Sequence, residues 1–211
     1  MKIQKKKYIS LFVTSVIVAT VLYNSVYFQK LDMRREKEEV KKFNSKEKAE
    51  YFWETKRDEV LESATDLKAF DTQLTANHEK LIDQYGKSVG ITSIFSFLVQ
   101  GYAKYTPTES GKIPLNISHS RFNYLLRTKF IFGNAARDAS GFFKIDDFEN
   151  TMDFNAVSTE LNKLIITRVI TKLDSLSAGR TIKFYGALEI NSENIPKEIE
   201  IIPLKIEAVD E

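Results

Sequence analysis

Cysteine is absent from all 211 residues of the chain. This absence excludes a disulfide framework, a thiolate nucleophile and a metal site built on cysteine. It also excludes a lipid attached to a cysteine after an apolar leader segment. The chemistry of this chain must therefore come from other side chains.

Histidine and excess charge are also scarce. The two histidines, His78 and His119, lie far apart and lack the i,i+4 spacing of a helical metal pair. The string Ser118-His119-Ser120 has no positioned acid and no nucleophile-elbow glycines, and no glycine-rich phosphate loop is present. The 31 basic and 29 acidic residues give no field that would attract nucleic acid. We therefore expect no cofactor, no metal, no nucleic-acid partner and no enzymatic activity.

An apolar run dominates the first residues. Lys5, Lys6 and Lys7 precede a charge-free stretch over residues 8–29, which as a helix would reach about 33 Å and cross a bilayer. Length favours an uncleaved signal anchor over residues 1–29, although a cleaved signal peptide and a buried soluble helix stay open. A basic head, an apolar core and a long polar domain resemble an export signal. We expect a single-pass inner-membrane protein whose bulk is extracytoplasmic, although basic residues on both sides of the run give no positive-inside answer.

Residues 30–90 have a helical pattern. The charge run over residues 34–42 indicates a solvated stalk, and Asn44 or Ser45 can cap the helix that follows. A second helix is predicted to begin near Asp66 and to end at Gly86. Trp53 is expected to be a core anchor. These features predict a helical subdomain.

Residues 91–211 change to a period of two. Three predicted strands are followed by a helix that Asn155 can cap, running to about Leu173, and then by two more strands. The apolar phase slips near Pro203, which predicts a bulge or an edge position there. This order predicts an α+β chain with an OB-like five-stranded β-barrel and a helix between strands 3 and 4. The predicted strands cover residues 94–105, 112–118, 122–132, 182–190 and 199–206.

The region over residues 133–153 is interpreted as an acidic loop and is the densest polar constellation. Arg137 offers a planar donor fork that suits a carboxylate, and Asp138, Asp146 or Asp147 could receive it. One interpretation is an ion pair that pins the loop, and the other is a ligand or partner site at Arg137, Asp138 and Asn150. Calcium binding is disfavoured, because the spacing is not that of an EF-hand and its turn glycine is missing. The acids considered for calcium are Asp146, Asp147, Glu149 and Asp153.

Short strings along the whole chain carry a resemblance: Ser25-Val26-Tyr27, Leu31-Asp32, Tyr51-Phe52-Trp53, Arg137-Asp138, Phe143, Asp147-Phe148-x-Asn150, Leu161-Asn162, Gly179-Arg180-Thr181-Ile182, Phe184-x-Gly186 and Ile201-Ile202-Pro203-Leu204-x-Ile206. Together they resemble the family called domain of unknown function 2291, predicted periplasmic lipoproteins of bacteria. The most specific part lies between Gly133 and Asn162. The resemblance implies a helical subdomain followed by an OB-like barrel, and an accessory role beside sugar transporters of the ATP-binding-cassette type. It implies no catalytic residues, and the missing cysteine favours a protein anchor instead of a lipid.

Three functions are compared. The first is a membrane-anchored extracytoplasmic binding or interaction module. Residues 8–29 would insert into the lipid bilayer, and the partner would be an envelope transport protein or a small carbohydrate. The second is an envelope hydrolase that uses paired carboxylates among Asp138, Asp146 and Asp147. The third is a barrel for single-stranded nucleic acid, which we disfavour because its stacking residues are more typical of a core and its rim. Those residues are Phe95, Phe97, Tyr102 and Tyr105.

Overall fold

The computed structural model describes residues 12–21, 23, 43–173 and 175–209. Contacts divide the chain into two units, residues 1–43 and residues 44–211. In the first unit residues 12–21 and 23 are helical. No helix in the described part of the chain is long and apolar enough to cross a membrane. The predicted transmembrane anchor is therefore wrong, and the predicted stalk lies outside the described residues.

The second unit begins with helices whose starts follow the predicted caps. Asn44 Oδ1 accepts a hydrogen bond from the Glu47 amide at 3.1 Å, and Asp66 Oδ1 accepts from the Lys68 amide at 3.0 Å. The predicted cap at Asn44 and the predicted start near Asp66 are confirmed, although the second helix is divided at Asn77, which caps a separate helix that ends at Gly86. The elements are α1 (Ser45–Tyr51), a π-helical turn (Phe52–Lys56), α2 (Arg57–Leu61), β1 (Thr65–Asp66), α3 (Leu67–Ala76) and α4 (His78–Tyr85).

Six strands form one open sheet in the order β1-β2-β5-β6-β4-β3. The predicted closed five-stranded barrel is wrong. The short strand β1 pairs in parallel with β2 and so occupies the free edge of β2 that closure would need, while the opposite edge strand β3 is only four residues long. The remaining strands are β2 (Ile94–Lys104), β3 (Lys112–Leu115), β4 (Asn123–Arg127), β5 (Thr181–Asn191) and β6 (Glu198–Ala208).

The long helical stretch lies between β4 and β5, as the predicted order requires. It begins one turn earlier than predicted, because Asn150 and not Asn155 is its cap: Asn150 Oδ1 accepts from the Asp153 amide at 2.9 Å. The segment interpreted as a loop contains a short helix. The elements are α5 (Ala135–Ser140), a 3₁₀ turn (Ile145–Asp147), α6 (Thr151–Ile165), a π-helical turn (Ile166–Ile170) and α7 (Thr171–Leu173).

Helices cover both faces of the sheet. On one face α3 and α4 close the main apolar core, where the rings of Phe70 and Phe97 meet edge to face at 5.2 Å. On the other face α5 packs against β2, β5 and β6. Its three alanines are buried, and such small side chains let a helix approach a sheet closely. Trp53 is also buried, as predicted.

A bulge lies where β5 and β6 pair. The register shifts between Tyr185 and Gly186, opposite Lys205 and Pro203, which confirms the predicted bulge. A Cβ atom on Gly186 would lie 2.4 Å from Ile201 Cγ2 and 2.8 Å from the Ile202 carbonyl oxygen, so only glycine fits. Ala187 and Leu188 point to opposite faces, and both are buried because helices cover both faces of the sheet.

Candidate functional site

A pocket of about 390 Å³ lies on the α5 side of the sheet. This volume falls within the range of roughly 300–1,000 Å³ that small-molecule sites occupy. The walls come from β2, β5, α5, the start of α6 and the segment that follows α4. The lining residues that carry polar side chains are Lys87, Ser88, Thr92, Ser96, Asn134, Arg137, Asp138, Thr151, Asn155 and Glu189.

Two strand residues form the part of the pocket that the sheet contributes. Ser96 on β2 and Glu189 on β5 are register partners, and directly opposed residues point to the same face. Lys87 joins them through its backbone, since its amide donates to the Ser96 carbonyl at 2.9 Å and its carbonyl accepts from the Ser96 amide at 2.7 Å. The ladder therefore fixes the positions of all three residues.

Arg137 is held from several sides. It is only 2% exposed, and its Nε donates to Asp138 Oδ1 at 2.6 Å. Its Nη1 donates to the Phe154 carbonyl at 3.1 Å and to Asn155 Oδ1 at 2.9 Å, and the guanidinium carbon lies 3.5 Å from the centroid of the Phe154 ring. Arg137 therefore ties α5 to the first turn of α6, and its donors are largely used within the protein.

Lys87 closes the other end of α5. Its Nζ donates to the Ala139 carbonyl at 2.8 Å and to the Ser140 carbonyl at 3.1 Å, two groups that a helix C-terminus leaves without partners. Gly141 ends the helix at a φ of 63°, and a Cβ there would lie only 3.0 Å from Lys87 Cδ. Burial lowers the pKa of the Lys87 amine.

Glu189 differs from the other three charged residues of the pocket. Within the described ranges no hydrogen bond or ion pair reaches its carboxylate. The residue is exposed, yet its pKa is raised, because the protein around the carboxyl displaces part of its water and disfavours the charged form, and because the Asp138 carboxylate repels it, while Arg137 acts in the opposite direction. Glu189 and Gly133 also line an adjoining cavity of about 320 Å³.

The family follows from a sequence comparison. A family model described as a predicted periplasmic lipoprotein, DUF2291, matches residues 16–207. The chain belongs to the DUF2291 family. Membership supports the predicted extracytoplasmic location, whereas the chain has no cysteine that could carry a lipid. No curated protein matches the chain.

A solved structure shares the fold. The crystal structure of an OB-fold protein from Thermotoga maritima, at 1.90 Å resolution, is 27% identical and superposes with a TM-score of 0.70. The match covers 80% of this DUF2291 chain and 100% of the other chain. The OB-like part of the predicted fold is therefore supported, and the closed barrel is not.

The structure brings together two of the three predicted site residues. Arg137 and Asp138 both line the pocket, but Asn150 does not. The side-chain oxygen of Asn150 caps α6, and its side-chain nitrogen Nδ2 donates to Asp153 Oδ2 at 2.9 Å. Asp146 and Asp147 lie exposed on the 3₁₀ turn, outside the pocket lining. In the described ranges no group of three or more histidine, cysteine, aspartate or glutamate side chains is arranged to hold a metal ion.

Sequence reasoning missed Lys87, Asn155 and Glu189 as pocket residues. Glu189 alternates with apolar neighbours along β5, and so looks like an ordinary solvent-facing residue. One sequence pattern did indicate that a helix covers this face of the sheet. Ala135-Ala136-x-x-Ala139 places small residues at a spacing that suits a helix lying on a sheet.

The proposed stacking platform for nucleic acid is divided by the fold. Phe97 and Tyr105 are 1% and 6% exposed and belong to the core, whereas Tyr102 is 64% exposed. Bases stack on exposed aromatic faces. The four aromatic residues therefore do not form one platform.

Proposed function

We propose that this DUF2291 protein is an extracytoplasmic binding module whose pocket beneath α5 takes a small polar ligand. One observation carries the proposal: a pocket of about 390 Å³ in which Ser96, Asp138, Asn155 and Glu189 converge from four separate places in the fold. A pocket with a few convergent polar groups is the usual form of a ligand site.

The mixture of groups favours a hydroxylated ligand of the carbohydrate class. Ser88, Thr92 and Thr151 can both donate and accept hydrogen bonds, as sugar hydroxyls do. Val89, Ile94 and Ile145 add apolar surface beside them. Such alternation of polar and apolar groups suits the edges and faces of a sugar ring.

Filling the pocket tests this function. Thr151 is exposed at the start of α6 and lines the pocket, so Thr151→Trp should occupy the cavity without removing a buried contact. The measurement is the ligand-induced rise in melting temperature across a panel of monosaccharides and amino compounds, followed by calorimetry. Thr159→Trp, exposed on the same helix outside the pocket lining, is the matched control. Binding that survives Thr151→Trp, or the absence of any binding in the panel, would contradict the proposal.

The finer role as an accessory of an ATP-binding-cassette sugar transporter is part of the proposal and rests on the family resemblance alone. Cross-linking in intact cells and recovery of the protein test it. A transporter subunit that is recovered with the wild type is the expected result. Recovery of no envelope transport component would count against this role.

A hydrolase is the second candidate. Asp138 and Glu189 line one pocket, and the charge of Asp138 contributes to the raised pKa of Glu189. A carboxyl group with a raised pKa beside a second carboxylate is the arrangement that glycoside hydrolysis uses. This pair replaces the predicted pairing with Asp146 or Asp147. Turnover of chromogenic glycosides that is lost in Asp138→Asn and Glu189→Gln would establish it, and the expectation that the chain is not an enzyme predicts no turnover.

A further inference from the structure

The four charged side chains of the pocket are not equally free. Arg137 is engaged by Asp138, Asn155 and the Phe154 carbonyl. The Nζ of Lys87 donates to two backbone carbonyls at the end of α5. The two cations and two carboxylates of the pocket balance in formal charge. Both cations, however, are already engaged within the protein.

In the part of the chain that the structure describes, no residue hydrogen-bonds or forms an ion pair with the Glu189 carboxylate. Lys87 is joined to β2 through its backbone, next to Glu189's register partner Ser96, but its amine is turned to the α5 carbonyls. Desolvation and Asp138 raise the pKa of Glu189, and Arg137 lowers it by a smaller amount. The pocket therefore presents one carboxylate whose charge the protein does not compensate. Glu189 is exposed, so its carboxylate is open to a ligand that enters the pocket, although water screens part of its attraction for a cation.

We propose that the ligand of this pocket carries a protonated amine, which pairs with Glu189, and that Glu189 is the residue that distinguishes amines from neutral compounds. The proposal rests on the proposed binding function. It narrows the ligand to the class of amino sugars and other small hydroxylated or aliphatic amines. Ser96, opposite Glu189, offers a hydroxyl to the same end of the ligand.

The pairing should depend on pH in one direction. Protonation removes the charge of Glu189, so amine binding is complete between the pKa of this carboxyl and that of the ligand's ammonium group, and is lost as the pH falls through the pKa of the carboxyl. Because that pKa lies above the usual value for glutamate, the loss begins at a higher pH than an unperturbed glutamate would give. The charged groups that surround Glu189 are Asp138 and Arg137 on α5, Lys87 before β2, and, across the adjoining cavity, Arg127, Glu198 and Glu200.

Two pairs of probes on the full chain test the proposal by calorimetry. Glucosamine is compared with glucose, and putrescine with 1,4-butanediol, so that each pair differs in the cationic nitrogen. We expect at least one amine to bind at least tenfold more tightly than its neutral partner at pH 7.5. We expect Glu189→Gln, which keeps the shape and removes the charge, to abolish that preference. Glu193→Gln, an exposed neighbour outside the pocket lining, should leave it unchanged.

The outcomes separate this proposal from the proposed function. If glucose or another neutral sugar binds in the pocket and Glu189→Gln changes neither affinity nor preference, the amine proposal fails and the binding function stands. If none of the probes and no monosaccharide binds, both fail. The melting temperature of Glu189→Gln, expected to equal or exceed that of the wild type, shows that the variant is folded.

Discussion

At the scale of single residues, Arg137 is buried, and its side chain has partners on several sides. Its guanidinium is surrounded by an aspartate, an asparagine, a backbone carbonyl and an aromatic ring. Removing one partner of a buried pair leaves the other charge without compensation. The residue therefore holds the pocket wall in place.

We expect Arg137→Ala to lower the free energy of unfolding by about 3 kcal/mol, since it leaves Asp138 unpaired and frees α5 from α6. Urea denaturation measures the change. Arg168→Ala is the control, because Arg168 and Glu54 form an exposed pair that should be worth less than about 1 kcal/mol. Equal losses in the two variants would contradict the structural role of Arg137.

Asp71 and Tyr124 predict the effect of alkaline pH. Asp71, 7% exposed, accepts from the Tyr124 hydroxyl at 3.0 Å and from Ser120 Oγ at 2.6 Å. Burial, and then the charge of Asp71, raise the pKa of the Tyr124 hydroxyl. Above about pH 10 the unfolded chain loses a proton that the folded chain keeps, so stability is complete below that pH and falls by about 1.4 kcal/mol per unit above it.

Tyr124→Phe should therefore lose about 2 kcal/mol at neutral pH, because a hydrogen bond to a charged group is removed. Its stability should also fall less steeply than that of the wild type between pH 10 and 11.5. Urea denaturation across this range measures both effects. The same substitution at Tyr102, 64% exposed, should leave the slope unchanged. A slope at alkaline pH that is the same in Tyr124→Phe and the wild type would refute the argument.

At the scale of elements, Asn150 illustrates how a residue selected as a ligand can instead be a cap. Asn150→Ala removes the acceptor for the Asp153 amide and should cost about 1 kcal/mol of stability without changing ligand affinity. Asn150→Ser keeps a capping oxygen and should restore most of the loss. Thermal denaturation and calorimetry measure the two effects separately, and a loss of affinity in both variants would return Asn150 to the binding site.

Local sequence patterns predicted the individual helices and strands more successfully than they predicted whether the sheet closes into a barrel. The cap at Asn44, the helix start near Asp66, the strand periods and the bulge near Pro203 depend on neighbouring residues, and these predictions are confirmed. The edge position of β1 depends on a pairing of Thr65 with Val99, which no local pattern encodes. For the same reason the sequence indicated Arg137 and Asp138 but not Glu189, which lines the pocket because α5 lies on β5.

At the scale of the whole molecule, the second unit contains every residue of the main core. The sheet has helices on both faces, and the pocket lies on the face opposite that core. Binding chemistry and the main core are therefore separated by the thickness of the sheet. Changes to the polar groups of the pocket can thus be tested without opening the core.

We expect residues 44–211 to fold without residues 1–43 and to show one cooperative thermal transition, because the sheet and its covering helices lie within this unit. A fragment that begins at residue 63 is the comparison. It lacks α1, the π-helical turn that follows it and α2. The buried residues Ala49, Phe52, Trp53 and Leu61 are lost with them. The rings of Phe52 and Phe143, whose centroids lie 5.3 Å apart, would lose their contact beside α5. Since each large buried side chain contributes about 2–5 kcal/mol, the shorter fragment should lose its cooperative transition. A cooperative shorter fragment, or an unfolded longer one, would show that the stable unit has other limits.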